Sequence, residues 1–493
     1  MTQRQLIDTE SLAWLRDALS PLLIESTLGE EALSLRFAAI ETDSRVLEAG
    51  VVFAALSGER FDGHDYVEKA REAGAVAAIV SRRLPVDIPQ LVVADVREAF
   101  GLAAKRWRAR YSLGLAAVGG SNGKTTTTQM IASILRARWG ADRMLATAGN
   151  LNNEIGVPKT LFGLRFAHRA AVVEAGMNHP GEMARLADWI RPSVAVLTNA
   201  QREHQEFLSS VAETAHENGL LIAALAESGV AVYPTDDPSW GVWASLALAR
   251  GVRSVRYAAG APVAGAEADL TGETREDGAL RIRGVVLGRT VDFTLRLAIA
   301  GEHNRHNAVA AAAAALALGV DEASIVAGLE AFEALAGRGR RLFSKKRPVI
   351  LIDDAYNANP DSVLASMAML AAEPTAADRR VFILGDMGEI GADALERHAE
   401  MGERAKALGI GRFWTVGALS EAAAHAYGEG AKHFPTREAL LAALDELLAA
   451  LPGEGDEGPA ARVVVKASHA AGLEKAVEAL AERLDCRGAG AAD

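Results

Sequence analysis

Short apolar runs separated by polar or glycine-rich turns recur along the chain, and most are followed by a segment of helical periodicity. This alternation is typical of α/β folds built on mainly parallel sheets. In the first hundred residues it predicts strands at Val51–Leu56, Val76–Val80 and Leu91–Val96. A helix is predicted from Arg97 to Arg110, where it leads out of a first domain.

The rest of the chain continues this alternation in two further blocks. The second block opens with the strand Leu113–Gly120, and later strands are predicted at Ala170–Gly176 and Val194–Ala200. Between residues 250 and 300, alternating segments with Gly and Asp turns (281–286 and 291–297) predict a small antiparallel patch. The alanine-rich run 308–320 is too short for a membrane span and is predicted to be a buried helix.

The third block follows the Gly- and Arg-rich segment 337–341. Its predicted strands are Val349–Asp354, Val381–Asp386, Phe413–Gly417 and Arg462–Ser468. Segment 451–460 is a loop by composition, and the tail 487–493 is predicted to be disordered. The pattern therefore predicts an α/β protein with domains at residues 1–110, 111–335 and 336–493.

Length, charge and cysteine content restrict the possible functions. The chain has 493 residues, enough for about three ordinary domains, and a formal net charge of −12. The negative charge argues against non-specific binding to nucleic acid or anionic membranes. The single cysteine, Cys486, supports neither a disulfide framework nor a thiolate metal site. The first ten residues lack the apolar core of a signal peptide, so we expect a cytoplasmic protein without membrane insertion.

The segment Gly119–Thr127, with the sequence GGSNGKTTT, is the strongest chemical signal. Its glycines let the backbone curl so that N–H groups converge on phosphate oxygens, and the following helix N-terminus adds positive potential. Lys124 would reach the β- and γ-phosphates of a nucleotide, and the Thr125 hydroxyl would bind Mg²⁺. The general P-loop motif has another glycine where Val118 stands, and the alternative interpretation is a glycine-rich turn with an exposed lysine.

Polar residues also end several other predicted strands. In open parallel sheets, ligands bind beyond the C-terminal ends of the strands. Glu174 ends one strand and is a natural ligand for Mg²⁺, although a solvated strand-end carboxylate would have the same sequence. His204 lies just past another strand, where it is either a functional residue or an ordinary structural histidine.

Three further polar segments each have a structural and a functional interpretation. The segment DDAYNANP (Asp353–Pro360) suits hydrogen bonding to a ribose or substrate, or forms an Asx-rich turn before a proline-started helix. The segment GEHNRHN (Gly301–Asn307) could read a base, or is a helix start capped by Asn304. The loops in Thr42–Asp65 carry a serine and arginines that could clamp a diphosphate, or are simply solvated.

Taken together, these segments resemble the Mur ligase family, which builds the peptide of peptidoglycan. The resemblance runs almost end to end through TDSR, GERFDGHD, GSNGKTT, GNLNNEIGVPKTL, VVEAGMNHPGE, GEHNRHNAVAA, DDAYNANPDS, GDMGEIG and VKASH. The P-loop is shared by the whole family and by folylpolyglutamate synthetases. The GNLNNEIGVP and DDAYNANP segments are typical of members that add D-alanyl-D-alanine to UDP-N-acetylmuramoyl-tripeptide.

The resemblance implies the domain roles and the reaction. A small α/β domain would hold the UDP end of the substrate, a central P-loop ATPase-like sheet would bind ATP, and a Rossmann-like C-terminal domain would help to hold the amine. The tripeptide carboxylate would attack the γ-phosphate of ATP, with Mg²⁺ as cofactor. The amine of D-alanyl-D-alanine would then displace phosphate from the acyl phosphate. The ligase is expected to be a monomer.

The resemblance also assigns residues to the substrates and the metal. The implied catalytic residues are Lys124, Glu174 and His204, and the implied Mg²⁺ ligands are Thr125, Glu174 and His204. The implied ATP contacts are Gly120, Ser121, Asn122, Gly123, Lys124, Thr125, Thr126, His303, Asn304, Asn307, Arg338, Asp353 and Asp354. The implied substrate contacts are Ser44 and Arg45 at the UDP pyrophosphate, Asn152, Asn153 and Glu154 beside the tripeptide, and Tyr356, Asn357, Lys466 and His469.

The chain departs from the family pattern at a lysine that is often carbamylated to hold a second Mg²⁺. Asn218 stands at that position, and no lysine occurs between Lys159 and Lys345. A lysine carbamate therefore cannot form on this helix. Glu217 and the Asn218 amide are the candidate substitutes.

Two other motifs also differ. The family's GRHN has Glu302 in place of arginine, and its KGSR-like motif has Ala467 and His469 in place of glycine and arginine. If that arginine binds the dipeptide carboxylate, His469 would do so less firmly and with a dependence on pH.

Three alternatives remain open from the sequence. One is a related ligase that adds another amino acid, or a folylpolyglutamate synthetase. The second is an ATP-binding protein that has lost ligation, which the missing lysine would favour. The third is a simple ATPase or kinase, for which the uridine-side loops would have no purpose.

Overall fold

Three β-sheets, taken in chain order, organise the protein. The computed structural model describes residues 8–58, 61–203 and 206–488, and its main sheets have five, nine and seven strands. The α/β class with mainly parallel sheets is confirmed. Within the described ranges, no helix combines the length and apolar character needed to cross a membrane.

The first sheet lies within the N-terminal residues. The elements of this part of the chain are β1 (Glu10–Ser11), α1 (Leu12–Ala18), β2 (Leu23–Ser26), α2 (Glu30–Leu33), β3 (Arg36–Phe37), β4 (Ile40–Glu41), β5 (Val52–Ala54), β6 (Ser57–Gly58), β7 (Phe61–Asp62), α3 (Val67–Glu72), β8 (Ala77–Val80), β9 (Gln90–Val93) and α4 (Val96–Arg108). Strands β1 and β3 pair with each other, as do β6 and β7, outside the five-stranded sheet. The strand order is β2–β9–β8–β5–β4, with β2 antiparallel to β9 and the other pairings parallel. The helix α4 begins where the Asp95 side chain accepts the N–H groups of Arg97 and Glu98.

The central sheet contains the P-loop strand at an inner position. Its elements are β10 (Gly114–Gly119), α5 (Lys124–Trp139), β11 (Met144–Ala146), α6 (Gly156–Phe162), β12 (Ala170–Glu174), α7 (Glu182–Ile190), β13 (Val194–Leu197), α8 (Val211–Ala223), β14 (Val230–Pro234), α9 (Trp240–Arg250), β15 (Arg253–Ala258), β16 (Leu270–Thr274), β17 (Leu280–Val286), β18 (Arg289–Leu295), α10 (Glu302–Ala317) and α11 (Glu322–Glu330). The order is β11–β12–β10–β13–β14–β15–β16–β17–β18. The strands from β11 to β16 are parallel, and β17 and β18 add the predicted antiparallel patch.

The third sheet follows the linker at residues 337–339. Its elements are β19 (Arg340–Ser344), β20 (Val349–Asp354), α12 (Pro360–Ala372), β21 (Arg380–Gly385), α13 (Ala394–Ala407), β22 (Arg412–Val416), α14 (Glu421–Tyr427), β23 (Ala431–Phe434), α15 (Arg437–Ala449), β24 (Ala461–Lys466), α16 (Glu474–Arg483) and β25 (Cys486–Gly488). The order is β23–β22–β21–β24–β20–β19–β25, with β19 antiparallel to both of its neighbours and the rest parallel.

The C-terminal tail differs from the sequence prediction. The tail was predicted to be disordered, but its first two residues, 487 and 488, pair with Phe343 and Leu342 as part of β25. Backbone pairing to an edge strand needs no apolar side chain, so composition alone does not detect it.

The predicted domain boundaries remain predictions. They fall between α4 and β10 and between α11 and β19.

The N-terminal and central sheets are joined by one continuous hydrophobic core. Trp107 of α4 is fully buried between the two, with its ring centre 6.1 Å from that of Phe37 and 5.7 Å from that of Phe162. The predicted helix at 97–110 is therefore the element that fixes these two domains to each other. The third sheet has separate cores on its two faces.

Candidate active site

A cleft of about 1420 Å³ lies beyond the C-terminal ends of the central strands, and all three parts of the chain contribute to its walls. This is the position at which open parallel sheets bind ligands. The P-loop lies on one wall, the loop at 150–155 and Arg97 on a second, and the linker and third sheet on another. The polar residues at strand ends predicted ligand binding on this face of each sheet.

Two glycines give the P-loop its shape. Gly120 has a φ of +121° and Gly123 a φ of +81°. A Cβ atom at Gly120 would collide with the Thr198 side chain, and one at Gly123 would collide with the Asn307 side chain. The helix α5 then begins without a side-chain cap, which leaves N–H groups of its first turn open to an anion.

Lys124 is anchored by three acceptors. Its Nζ donates to the Ser121 carbonyl at 2.9 Å, to the Gly120 carbonyl, and to Glu203 Oε2 at 3.1 Å. Glu203 is only 7% exposed. Sequence reasoning missed this carboxylate, although it directly precedes His204 in the NAQREHQEF segment.

Asn218 holds the P-loop from the opposite side. Its Oδ1 accepts the N–H of Gly120 at 2.9 Å, and its Nδ2 lies 3.4 Å from Glu203 Oε1. Glu217 points elsewhere, because its Oε1 accepts the N–H groups of Gly181 and Met183 at the start of α7. Of the two candidate substitutes for the family lysine, Asn218 thus contacts the P-loop and Glu217 caps a helix.

Glu174 and Thr125 form a pair of oxygen ligands suited to a hard cation. The Thr125 hydroxyl donates to Glu174 Oε1 at 3.0 Å, and the Asn152 amide donates to the same oxygen at 2.7 Å. Glu174 is 1% exposed, and among the described residues its Oε2 has no hydrogen-bond partner. A buried carboxylate oxygen without a partner is costly, and Mg²⁺ would satisfy it.

The third predicted metal ligand, His204, lies outside the described residues. Within those residues, no three His, Cys, Asp or Glu side chains converge on a common metal position. The role of His204 as a Mg²⁺ ligand stays a prediction.

The predicted adenine-side residues lie at the start of α10. His303, Asn304 and Asn307 all line the cleft. The helix begins at Glu302 after Gly301, and the Asn304 amide donates to the Ala300 carbonyl at 2.6 Å. The interpretation of Asn304 as the helix cap is therefore wrong. Asn304 lies within the first turn, and Gly301 occupies the cap position.

The third domain contributes a stacked group of side chains. The Tyr356 ring lies 4.2 Å from the Arg338 guanidinium and stacks on the His469 ring at 5.4 Å. Burial raises the pKa of Tyr356, so this phenol stays protonated at neutral pH. Beside the stack, Lys466 donates to Asp354 Oδ2 at 2.8 Å and to the Asn357 carbonyl at 3.1 Å.

Four predicted contact residues do not line this cleft. Gly120 turns its N–H to Asn218. Asp353 instead fixes the linker, because its Oδ2 accepts the Gly337 N–H at 2.8 Å and an Arg340 N–H at 3.1 Å. Asp354, its neighbour, faces the cleft.

The other two, Ser44 and Arg45, lie in a turn of the N-terminal domain. The Arg45 side chain is 81% exposed and binds Asp43 at 2.7 Å. These hydrogen bonds hold the pKa of Asp43 well below its usual range. The role of Ser44 and Arg45 at a UDP pyrophosphate stays a prediction.

Polar contacts that the sequence did not predict connect the P-loop region to the third domain. Arg202 binds Asp361 at 2.8 Å and Glu400 at 3.0 Å. The hydrogen bond to Asp361 raises the pKa of Arg202. The Asn359 amide, at the start of α12, donates to Asn122 of the P-loop at 2.9 Å. These contacts hold the third domain against the central one.

Fold and site together define a ligase with three domains, in which a P-loop faces two further domains across one cleft. Models of the Mur ligase family match residues 36–108 (catalytic domain), 118–315 (middle domain) and 337–469 (glutamate ligase domain). The chain belongs to the Mur ligase family. It is an ATP-dependent enzyme of the class that forms C–N bonds.

Individual relatives match over nearly the whole chain. The UDP-N-acetylmuramoyl-tripeptide–D-alanyl-D-alanine ligase of Escherichia coli (strain K12) is 38% identical over 459 residues, covering 91% of this chain and 94% of its own. The crystal structure of MurF from Acinetobacter baumannii has a TM-score of 0.84 at 30% identity, covering 97% and 99% of the two chains. A second Acinetobacter baumannii structure, UDP-N-acetylmuramoylalanyl-D-glutamyl-2,6-diaminopimelate–D-alanyl-D-alanyl ligase, has a TM-score of 0.79 at 29% identity, covering 98% and 100%.

Proposed function

We propose that this protein uses ATP to join D-alanyl-D-alanine to UDP-N-acetylmuramoyl-tripeptide, in the synthesis of peptidoglycan precursors. The observation that carries the proposal is the single cleft in which the P-loop faces Asn152 and Glu154 on one wall and Lys466 and His469 on another. Three substrates must meet in this reaction, and the cleft is lined by most of the residues assigned to ATP, the tripeptide and the dipeptide. The names of the relatives support the same reaction.

The chemistry proceeds in two steps. A carboxylate oxygen of the tripeptide forms a bond to the γ-phosphorus of ATP while the bond from that phosphorus to the β–γ bridging oxygen breaks, which gives an acyl phosphate and ADP. The amine of the dipeptide then attacks the acyl carbon, loses a proton and expels inorganic phosphate from a tetrahedral intermediate. Phosphorylation is needed because a free carboxylate is a poor acyl donor at neutral pH.

The P-loop residues neutralise and position the phosphates. Lys124 and the first N–H groups of α5 present positive charge where the transferred phosphoryl group would lie. A Mg²⁺ ion bound by Thr125 and Glu174 would supply further neutralisation of the phosphate charge. Asn152 orients Glu174 and borders the tripeptide side of the cleft.

The third domain would hold the dipeptide. Lys466 brings positive charge to its wall of the cleft, which suits the dipeptide carboxylate. His469 lines the same wall of the cleft, with its ring stacked on the Tyr356 ring. We also propose that the protein acts in the cytoplasm and as a monomer.

Phosphate release tests the proposal directly. Purified protein is incubated with ATP, Mg²⁺, UDP-N-acetylmuramoyl-tripeptide and D-alanyl-D-alanine, and each component is left out in turn. Release that requires every component, with the UDP-pentapeptide detected by mass spectrometry, is the expected result. Release without the dipeptide would point to an ATPase, and release with glutamate and a folate in place of the peptides would point to a folylpolyglutamate synthetase.

A variant of the P-loop lysine completes the test. Lys124→Ala should abolish phosphate release with the circular dichroism spectrum unchanged, while Lys345→Ala, which removes an exposed lysine paired with Asp485, should keep it. Turnover by Lys124→Ala at the wild-type rate would contradict the assignment of the loop.

A further inference from the structure

Four charged side chains form a cluster where the N-terminal domain meets the central one. Arg97 and Glu98 come from the first turn of α4, Glu154 from the loop before α6, and Arg185 from α7. Arg185 binds Glu98 at 3.0 Å and also binds Glu154 Oε1, while Arg97 lies 3.4 Å from Glu154 Oε2. The cluster contains two positive and two negative charges.

Only half of this cluster faces the cleft. Arg97 and Glu154 are among the residues that line it, and Arg185 and Glu98 stand behind them. Arg185 occupies one oxygen of Glu154 and so fixes the carboxylate. The other oxygen meets Arg97 through a long contact, and the Arg97 side chain is 45% exposed. Arg97 and Glu154 are therefore placed to exchange this weak contact for stronger ones with a ligand.

The spacing between the phosphate end of the cleft and Glu154 matches the length of the side chain of the tripeptide's third residue. Asn152 contacts Glu174 at the phosphate end of the cleft. Glu154 is two residues further on, and two residues span at most about 7 Å. The side chain of a diamino acid covers a similar length from its reacting carboxyl group. The far end of that side chain would therefore reach Arg97 and Glu154.

We propose that Arg97 and Glu154 are specificity-determining residues that bind the distal amino-acid centre of a diaminopimelate residue. Arg97 binds its distal carboxylate and Glu154 its distal ammonium group. This inference rests on the proposed function. A side-by-side arginine and carboxylate is complementary to a group that carries both charges. Lysine offers the ammonium group alone, so Arg97 would face it without a partner and would repel it.

The test compares two UDP-linked tripeptides that end in meso-diaminopimelate or in lysine. Steady-state kcat/KM is measured for both, and binding of each is measured by calorimetry without ATP. Arg97→Gln should lower kcat/KM and affinity for the diaminopimelate substrate by about tenfold or more, because a charge-assisted hydrogen bond is lost. The lysine substrate should lose no activity or affinity, because it makes no such bond with Arg97 and the substitution removes the repulsion of its ammonium group.

A control variant removes another ion pair that attaches α4 to the central domain. Lys105 of α4 binds Asp188 of α7 at 2.6 Å and does not line the cleft. If Arg97 acted only by attaching α4 to the central domain, Lys105→Gln would have a similar effect on both substrates. The proposal expects Lys105→Gln to leave both substrates unchanged.

A charge reversal gives a second, independent result. Arg97→Glu should shift the preference toward the lysine substrate, because two carboxylates would then face its ammonium group. Equal losses for both substrates in the two Arg97 variants would overturn the inference and leave the proposed function standing. Failure of the wild-type protein to use either tripeptide would instead overturn the proposed function.

Discussion

At the scale of single residues, the contact between Lys124 and Glu203 decides how the P-loop meets a nucleotide. The lysine ammonium that would bind phosphate is already held by a nearly buried carboxylate at 3.1 Å. Incoming phosphates must therefore compete with Glu203 for the same charge. A carboxylate beside the phosphate position also repels the nucleotide.

We expect Glu203→Gln to bind ADP more tightly than the wild-type protein in the absence of Mg²⁺. The variant removes the competitor of the phosphates for Lys124 and a negative charge beside them, so the gain should be about threefold to tenfold. Titration calorimetry measures the two dissociation constants. Glu213→Gln, which changes a partly exposed carboxylate bonded to Ser209, is the control. Weaker ADP binding by Glu203→Gln would show that this carboxylate supports the nucleotide site.

At the scale of elements, α8 contributes to the P-loop through an amide. Asn218 accepts the Gly120 N–H and is 1% exposed, so it belongs to the architecture of the loop. No lysine lies between Lys159 and Lys345 that could form a carbamate on this helix.

Removal of CO₂ should therefore leave the reaction rate unchanged. The assay is phosphate release in degassed buffer, with and without added bicarbonate. A marked fall in rate that bicarbonate restores would show that a carbamate forms elsewhere and takes part in the reaction.

The contact between α4 and α7 depends on a glycine. A Cβ atom at Gly101 of α4 would collide with the ring of Trp189 on α7. We expect Gly101→Ala to lower the free energy of unfolding by about 1–3 kcal/mol, because the added methyl group overpacks the interface. The change is measured by urea denaturation, as a fall in the transition midpoint of the variant relative to the wild-type protein.

Gly241 on α9 is the matched control for this prediction. It is also a helical glycine, but a Cβ atom there would meet no described atom within 4 Å. Gly241→Ala should raise stability by about 0.5–1 kcal/mol, since alanine loses less backbone entropy in a helix. Similar effects of the two substitutions would contradict the packing argument.

At the scale of the whole molecule, the domains are joined in two different ways. The N-terminal and central domains share one hydrophobic core around Trp107. The third domain has its own cores, and its named links to the P-loop region are polar, chiefly Arg202 to Asp361 and Glu400. Polar contacts of this kind exchange with water more readily than a shared core, so the third domain is the one expected to move.

Arg202→Ala should loosen the third domain without unfolding the protein. We expect a larger radius of gyration in small-angle scattering and a KM for D-alanyl-D-alanine raised by about fivefold or more, because the lost ion pairs favour the closed arrangement. Arg379→Ala is the control, since it removes an ion pair with Asp456 inside the third domain. An unchanged KM and radius in Arg202→Ala would show that other contacts hold the domains together.

The sequence by itself determined the α/β class and the P-loop, and most of the residues that it assigned to the site line the cleft. Apolar runs fix strands through their burial, and the glycines near Lys124 permit only a narrow set of turns, so these features are encoded locally. Asp354, Tyr356 and Asn357 of the DDAYNANP segment and residues 302–307 of the GEHNRHN segment also line the cleft. Asp353, by contrast, turns to the linker although its sequence neighbour does not.

Only the tertiary structure decided which polar and charged groups meet. Glu203 on Lys124, Asn218 on Gly120, and Arg97 beside Glu154 each join segments far apart in the chain. Their pairing depends on the strand order and on how the domains pack, and neither is encoded in the local pattern of apolar and polar positions. A charged residue on a loop has the same sequence signal whether it is solvated or bound, because its partner comes from another part of the fold.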